Sequence, residues 1–241
     1  GVVFTWSSAI SANITGNTNG TGTLDDILTN TGDAIETVTY TVTATGPGPE
    51  FCVSATSEDY VVTVDPVVTQ VISNNDAVVC EGIAVDIDYD SPTENALMSV
   101  QAVYPGGVTG SVDYSASTPL VFPGTIAETL DNPTSIPQTV TYTFTTSANS
   151  CADAVTVVSV IVNPTPTLTN LPDVTTICSG DQLSFVPTSD VAGVVFTWSS
   201  AISANITGNT ATGVGPITNT LVNTGDAIET VTYTCLLYTS D

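Results

Sequence analysis

The chain has 241 residues, 24 of them Asp or Glu and none Lys, Arg or His, for a formal net charge of -24. Without a cationic side chain it cannot neutralise a phosphate backbone or dock on an anionic membrane surface, so nucleic acid and acidic ligands are poor candidates as partners. The missing His removes the commonest general base and zinc ligand, and any catalysis would fall to carboxylates, Tyr, Ser or Cys.

Disorder needs low hydrophobicity as well as charge, and with 41% hydrophobic residues and a mean hydropathy of +0.30 the chain is expected to fold. Val, Thr, Ile, Tyr and Phe fill its periodic stretches and Gly, Pro, Asn and Asp interrupt them, which predicts strands joined by turns. No segment has the pattern of an amphipathic helix, and no apolar run approaches the roughly 20 residues that span a bilayer. Gly1 leads straight into VVFTWSSA, a strand with Phe4 and Trp6 on one side. The only Met is Met98, so position 1 is not expected to be a translation start. A turn at NTGD (Asn30 to Asp33) precedes VTYT (Val38 to Thr41), Cys52 and a strand closing on VDP at Pro66. Further on, DIDYD from Asp86 alternates, and VTYTF from Val140 runs through Cys151 into AVTVVSVIV from Ala154 and then VNPTP. Last, TTIC from Thr175 turns at Ser179 and Gly180 into QLSFVPT and VVFTWSSA. A Thr/Asn-rich stretch to Leu221, a second NTGD and a third VTYT follow.

Internal repetition is the strongest signal. Gly1 to Thr18 recurs letter for letter as Gly193 to Thr210, and Asn30 to Thr41 as Asn223 to Thr234. A diverged copy lies between, since the block from Gly124 aligns without a gap to the block from Gly215. Cys80 to Cys178 is 98 positions and Cys52 to Cys151 is 99, the size of one small sandwich domain. Boundaries are expected after Pro66 and around Pro164 and Pro166, because Pro ends a strand and stiffens a linker. The organisation is therefore a partial unit at 1–66 lacking its first strands, a complete unit at 67–165, and a partial unit at 166–234 lacking its last strand. About seven short strands per unit point to an all-β class of tandem immunoglobulin-like Greek-key β-sandwiches, the outer two truncated. Residues 235–241, CLLYTSD, depart from the repeat and resemble a translated sequencing-library adapter.

The order and spacing of ICSGD at Ile177, FTW at Phe196, TLVNTG at Thr220, VTYT, a Cys near the final hairpin and VNPTP resemble the PKD-like, immunoglobulin-like modules of very large Bacteroidota surface proteins. The resemblance covers nearly the whole chain. It implies an extracellular, cell-surface location and a role as spacer stalk or adhesin, including surface motility. The partners it implies are adjacent repeats of the same chain, and surface glycans or other cells. No catalytic residues come with the family, so no enzyme is expected. The middle copy departs from the pattern, with Met98 and Val100 where Phe196 and Trp198 stand in the third.

Trp6 and Trp198 are expected to fill the sandwich core, and Tyr40, Tyr142 and Tyr233 to be the strand-F aromatic, as in a tyrosine corner. Exported domains of this size gain from a disulfide, and Cys80 with Cys151 is the favoured pair within a unit. Linkage between neighbouring units, Cys52 with Cys80 or Cys151 with Cys178, stays open, as does the geometric difficulty that the favoured pair sits at opposite ends of a simple immunoglobulin topology. Asp86, Asp88 and Asp90 share one strand face, with Glu94 four residues on. Calcium takes oxygens from such clusters, although Ser91 and Leu97 break the EF-hand pattern and edge-protecting charge is the alternative. Asp25 and Asp26 form a weaker acidic pair. Asp33 with Glu36, repeated as Asp226 with Glu229, has the composition of a glycosidase pair but sits at a repeated turn, where a structural corner is favoured. A second functional class, a carbohydrate-binding or accessory module attached to a secreted enzyme, would need exposed aromatics such as Tyr104 and Tyr114.

Overall fold

Period-two alternation sets the architecture: within Gln138–Ser147 every second residue from Val140 is buried, the mark of a strand with one face on a core. The computed structural model describes residues 1–49, 52–54, 56–170 and 175–238, and among them the ordered elements are strands and turns, with no helix. The first unit carries β1 (Val3–Ile10), β2 (Ile14–Thr15), β3 (Gly20–Thr21), β4 (Thr29–Asn30), β5 (Glu36–Thr45) and β6 (Glu58–Val64). The middle unit opens with β7 (Val71–Asn74), β8 (Val78–Cys80), β9 (Ile87–Asp90), β10 (Leu97–Val103) and β11 (Thr109–Gly110). It continues with β12 (Thr118–Leu120), β13 (Gly124–Ile126), β14 (Leu130–Asp131), β15 (Gln138–Ser147) and β16 (Ala154–Asn163). The third unit has β17 (Gln182–Phe185), β18 (Val195–Ile202), β19 (Ile206–Thr207), β20 (Thr212–Val214), β21 (Ile217–Thr220), β22 (Val222–Asn223) and β23 (Val231–Tyr238).

The fold is all-β, a tandem of immunoglobulin-like sandwiches, and every sheet draws its strands from one unit. In the middle unit a five-stranded sheet, β12-β10-β15-β16-β8, and a three-stranded sheet, β13-β9-β7, contribute to one core. Ile87 and Ile126 enter it from the smaller sheet, Val100, Tyr142, Phe144 and Val160 from the larger. The leading strand of this unit is split between sheets. Its first half, β7, pairs antiparallel with β9, and its second half, β8, crosses over to lie parallel to β16.

That crossover decides the fate of the cysteines. Cys80 stands opposite Asn163 at the C-terminal end of β16, whereas Cys151 precedes the other end of the same strand. The 10-residue length of β16 separates them by about 30 Å, against the roughly 7 Å that a disulfide tolerates between Cα atoms. The expected Cys80–Cys151 bond is therefore not formed, and Cys52, Cys80, Cys151, Cys178 and Cys235 are all free.

The first unit is built on β3-β1-β5-β6, with β2 and β4 as a short ladder. The third has β20-β18-β23, β17-β21 and β19-β22. Its TTIC segment forms no strand; in the middle unit the corresponding β8 pairs with β16, and the described part of the third unit has no counterpart of β16. Cys235 to Tyr238 extend β23 along β18, and 239–241 lie outside the described residues.

Strand register aligns the three cores. Trp6 faces Val42, Trp198 faces Cys235, and Val100 faces Phe144. The bulky side chain has moved one strand across: tryptophan beside a small partner in the outer units, valine beside phenylalanine in the middle one. The third neighbour follows suit. Gly20 and Gly213 lie opposite the tryptophans and Thr118 opposite Val100. A Cβ on Gly213 would overlap the Trp198 ring, and one on Gly20 would come within 2.6 Å of Trp6. Glycine at these strand positions is thus required by the ring beside it. Gly213→Ala should destabilise its unit by about 1–3 kcal/mol through overpacking. Thr118→Ala, at the same place beside Val100, should cost less than about 1 kcal/mol. Urea unfolding of the full chain followed by residue-resolved NMR checks the difference, and equal effects would contradict the exchange of volumes.

Candidate functional site

The polar group that recurs in every unit is a tie between the VTYT tyrosine and a residue fourteen positions earlier. Tyr40 Oη donates to Asp26 Oδ2 at 2.6 Å, Tyr142 Oη to Glu128 Oε1 at 2.5 Å, and Tyr233 Oη accepts from Asn219 Nδ2 at 2.7 Å. The hydroxyl thus reaches a side chain fourteen residues upstream, in the link between two short strands for Asp26 and Glu128 and within β21 for Asn219, rather than the upstream backbone, which corrects the tyrosine-corner expectation. The three partners occupy one place in the fold with three chemistries: Asp, Glu and Asn.

Glu128 is the extreme case, at 1% exposure. Burial alternates through the extended link from β13 to β14, so Glu128 turns inward between Ile126 and Leu130, both buried. Besides Tyr142, the Tyr104 hydroxyl lies 3.0 and 3.1 Å from its two oxygens, and Tyr104 in turn accepts the Tyr114 N–H at 3.2 Å. Gly110 lets the carboxylate in, since a Cβ there would overlap Oε2. Burial raises the Glu128 pKa, and the Tyr142 and Tyr104 hydrogen bonds oppose that only in part. Burial first, and the neighbouring Glu128 second, push the Tyr142 hydroxyl up as well. Asp26 is held low by Thr18 and then Tyr40, and burial together with Asp26 raises Tyr40 to about 12. A hydroxyl-bound acid closed inside a core has no route to a substrate. Its chemistry is that of a structural bond with a titratable end.

The remaining candidates take these places. Trp6 and Trp198 are buried, the latter edge-on to Tyr233 at 5.6 Å, and both indole N–H groups lack a partner among the described residues. Asp86, Asp88 and Asp90 lie on the side of their strand away from Ile87 and Tyr89, which are buried. Asp88 accepts from Thr125 Oγ1 at 2.6 Å and Asn75 Nδ2 at 2.9 Å, bonds that hold its carboxyl below the usual range. Asp90 accepts the Ser91 N–H at 2.8 Å. Among the described residues no three acidic or thiol groups gather closely enough to hold a metal ion. Glu36 and Glu229 tie their corners to Asn13 and Asn205 at 2.9 and 2.7 Å. Tyr104 and Tyr114 pack against the middle core instead of forming an exposed row. Sequence reasoning missed Glu128 and Asn219, and it singled out Asp26 only as half of a weak acidic pair with Asp25, without its tyrosine partner. The signal was present in the gapless alignment of the Gly124 and Gly215 blocks, which sets Glu128 opposite Asn219 at an inward position.

The model of the PKD-like domain family matches residues 1–68 and 175–241, more than half of the chain. The chain belongs to the PKD-like domain family. The match takes in the two tryptophan-bearing units, while the middle unit, where Val100 faces Phe144, falls outside the matched residues. Among solved structures, the crystal structure of human CDH23 EC21-23 is similar at 13% identity and a TM-score of 0.38, over 83% of this chain and 73% of that one. No curated protein matches the chain.

A raised carboxyl costs stability once it is charged. The contribution of Glu128 is present in full below its unfolded pKa and is lost as pH rises through its higher folded pKa. Glu128→Gln should therefore stabilise the middle unit at pH 7 by about 1–3 kcal/mol, with the advantage shrinking toward pH 4. Denaturant titrations of both proteins across that range test the sign.

Proposed function

We propose that this PKD-like chain is a run of structural repeat modules in an extracellular surface protein of Bacteroidota type, serving as spacer stalk or adhesive fibre and not as a catalyst. The observation that carries the proposal is the repetition itself. Identical segments 192 residues apart fold into the same tryptophan-centred sheet, and the described sheets each draw their strands from one repeat. The acidic groups support a mechanical role, because Asp26, Glu36, Asp88, Glu128 and Glu229 are committed to hydrogen bonds that hold strands, turns and corners in place. A uniform negative charge keeps neighbouring modules from collapsing onto one another within the roughly 8 Å screening length of physiological salt. Family membership favours export, and a lack of Lys and Arg leaves trypsin no site, which suits an exposed fibre. The partners on this proposal are adjacent modules and, at the tip or flank, glycans or other cells. The carbohydrate-binding alternative loses support from the inward packing of Tyr104 and Tyr114.

Residues 67–165 alone should be monomeric and unfold cooperatively. Pulled by atomic force microscopy in a tandem of that unit, each event should release about 30 nm of chain, the extended length of roughly a hundred residues. Gradual extension without discrete events would rule out the modular stalk. Beads coated with the chain should adhere to the surface of the source cells or to a glycan array more than beads coated with an equally acidic control; equal binding would leave a spacer role alone.

A further inference from the structure

We infer that the two joints of this chain differ in stiffness, and that a glutamate at position 94 meeting a free backbone N–H at position 35 is what locks the first. This deepens the stalk proposal, yet the two can fail separately. At the first joint, the corner between β4 and β5 of the first unit meets the turn between β9 and β10 of the middle unit. Glu94 accepts the Ile35 N–H on Oε2 at 2.8 Å and donates its own N–H to the Asp33 carbonyl at 2.8 Å. One residue thereby makes a two-point bridge from module to module, one arm of it a charge-assisted hydrogen bond, which is about twice as strong as a neutral one.

The corresponding positions at the second joint follow from matched geometry. In the corners, Asn30 Nδ2 donates to the Ala34 and Val64 carbonyls, and Asn132 Nδ2 to those of Ile136 and Val162. Asn132 therefore corresponds to Asn30, and Pro137 to Ile35. In the turns, Asn95 and Gly193 both take positive φ, 58° and 77°, so that Ala192 corresponds to Glu94. Proline has no N–H to give and alanine no oxygen to receive it. Both halves of the side-chain arm are missing together. Among the described residues no hydrogen bond runs directly from the middle unit to the third.

What the second joint retains is a linker tied to each neighbour separately. The Thr165 N–H donates to Glu81 Oε2 of the middle unit at 2.9 Å. Thr167 gives its N–H and its hydroxyl to Asp190 of the third, both at 2.7 Å, and the Thr167 bonds hold that carboxyl down at about 2. Pro166 stands between the two anchors. The first joint has the forward tie as well, from Thr69 to Ser91 and Thr93. Only the corner-to-turn bridge joins one module directly to the next.

The test is ¹⁵N relaxation on the full chain. Residues 1–64 and 71–163 should report one rotational correlation time and residues 175–238 a shorter one. Glu94→Ala should release the first unit into independent tumbling and speed exchange of the Ile35 amide at least about tenfold. Glu94→Gln, which keeps an acceptor oxygen, should restore most of the coupling. Unchanged middle-unit chemical shifts away from the turn would show that the variants fold. A first unit that still tumbles with the middle one in Glu94→Ala, or a third unit as tightly coupled as the first in the wild type, would overturn the inference. Either result would leave the modular stalk itself standing, since that depends on the autonomy of residues 67–165.

Discussion

The acidic contacts of this chain are governed by one constraint: 24 carboxylates and no side-chain cation. Ion pairs are unavailable to its side chains, so each acid that the fold uses must be held by a neutral donor. Thr18 and Tyr40 hold Asp26, Asn13 holds Glu36, and Thr41 holds Asp59. Thr125 and Asn75 hold Asp88, and the Ile35 N–H holds Glu94. Hydrogen bonds to a charged acceptor are worth more than neutral ones and require no partner of opposite sign. The high threonine and asparagine content of the loops and strand faces is the donor supply that such a surface needs.

The same constraint reaches the core and the joints. Position 26/128/219 is filled by Asp, Glu or Asn, and the VTYT tyrosine answers each, as donor to the acids and acceptor for the amide. The acids behave in opposite ways with pH. Asp26, Asp88 and Asp190 have lowered pKa values and stabilise the fold above the ordinary carboxylate range, losing that contribution on acidification. Glu128 is raised and gains on acidification. At the joints one carboxylate either finds a backbone donor in the neighbouring module or is replaced together with that donor, which turns a side-chain choice into a mechanical property of the array.

Most of the architecture was legible in the sequence because it is written locally. Alternation in VTYTF and AVTVVSVIV marked strands, the exact repeat of GVVFTWSSA marked equivalent strands, and Met98 and Val100 at the FTW positions announced a different core. What the alignment did not reveal was that Phe144 carries the displaced bulk, because that depends on which residue faces Val100 across the sheet. The cysteine pairing failed for a similar reason. The crossover of β8 to the edge of β16 is a non-local event, and it places Cys80 and Cys151 at opposite ends of one strand. Glu128 escaped notice since a carboxylate in an alternating segment is ordinarily assigned to the wet face. Glu94 stood out only as a neighbour of the DIDYD acids, whereas its partner is 59 residues away in another module.

A chain stabilised by neutral donors and opposed by its own like charges should respond to salt in one direction only. Ion pairs weaken on screening, whereas repulsion among carboxylates is relieved by it. The most direct measurement is the thermal midpoint of the full chain at pH 7 as sodium chloride is raised from 10 mM to 1 M. The midpoint should climb throughout the range. A midpoint that falls or stays level would mean that attractive charge interactions hold the fold, and would contradict a structure sustained by neutral donors against its own repulsion.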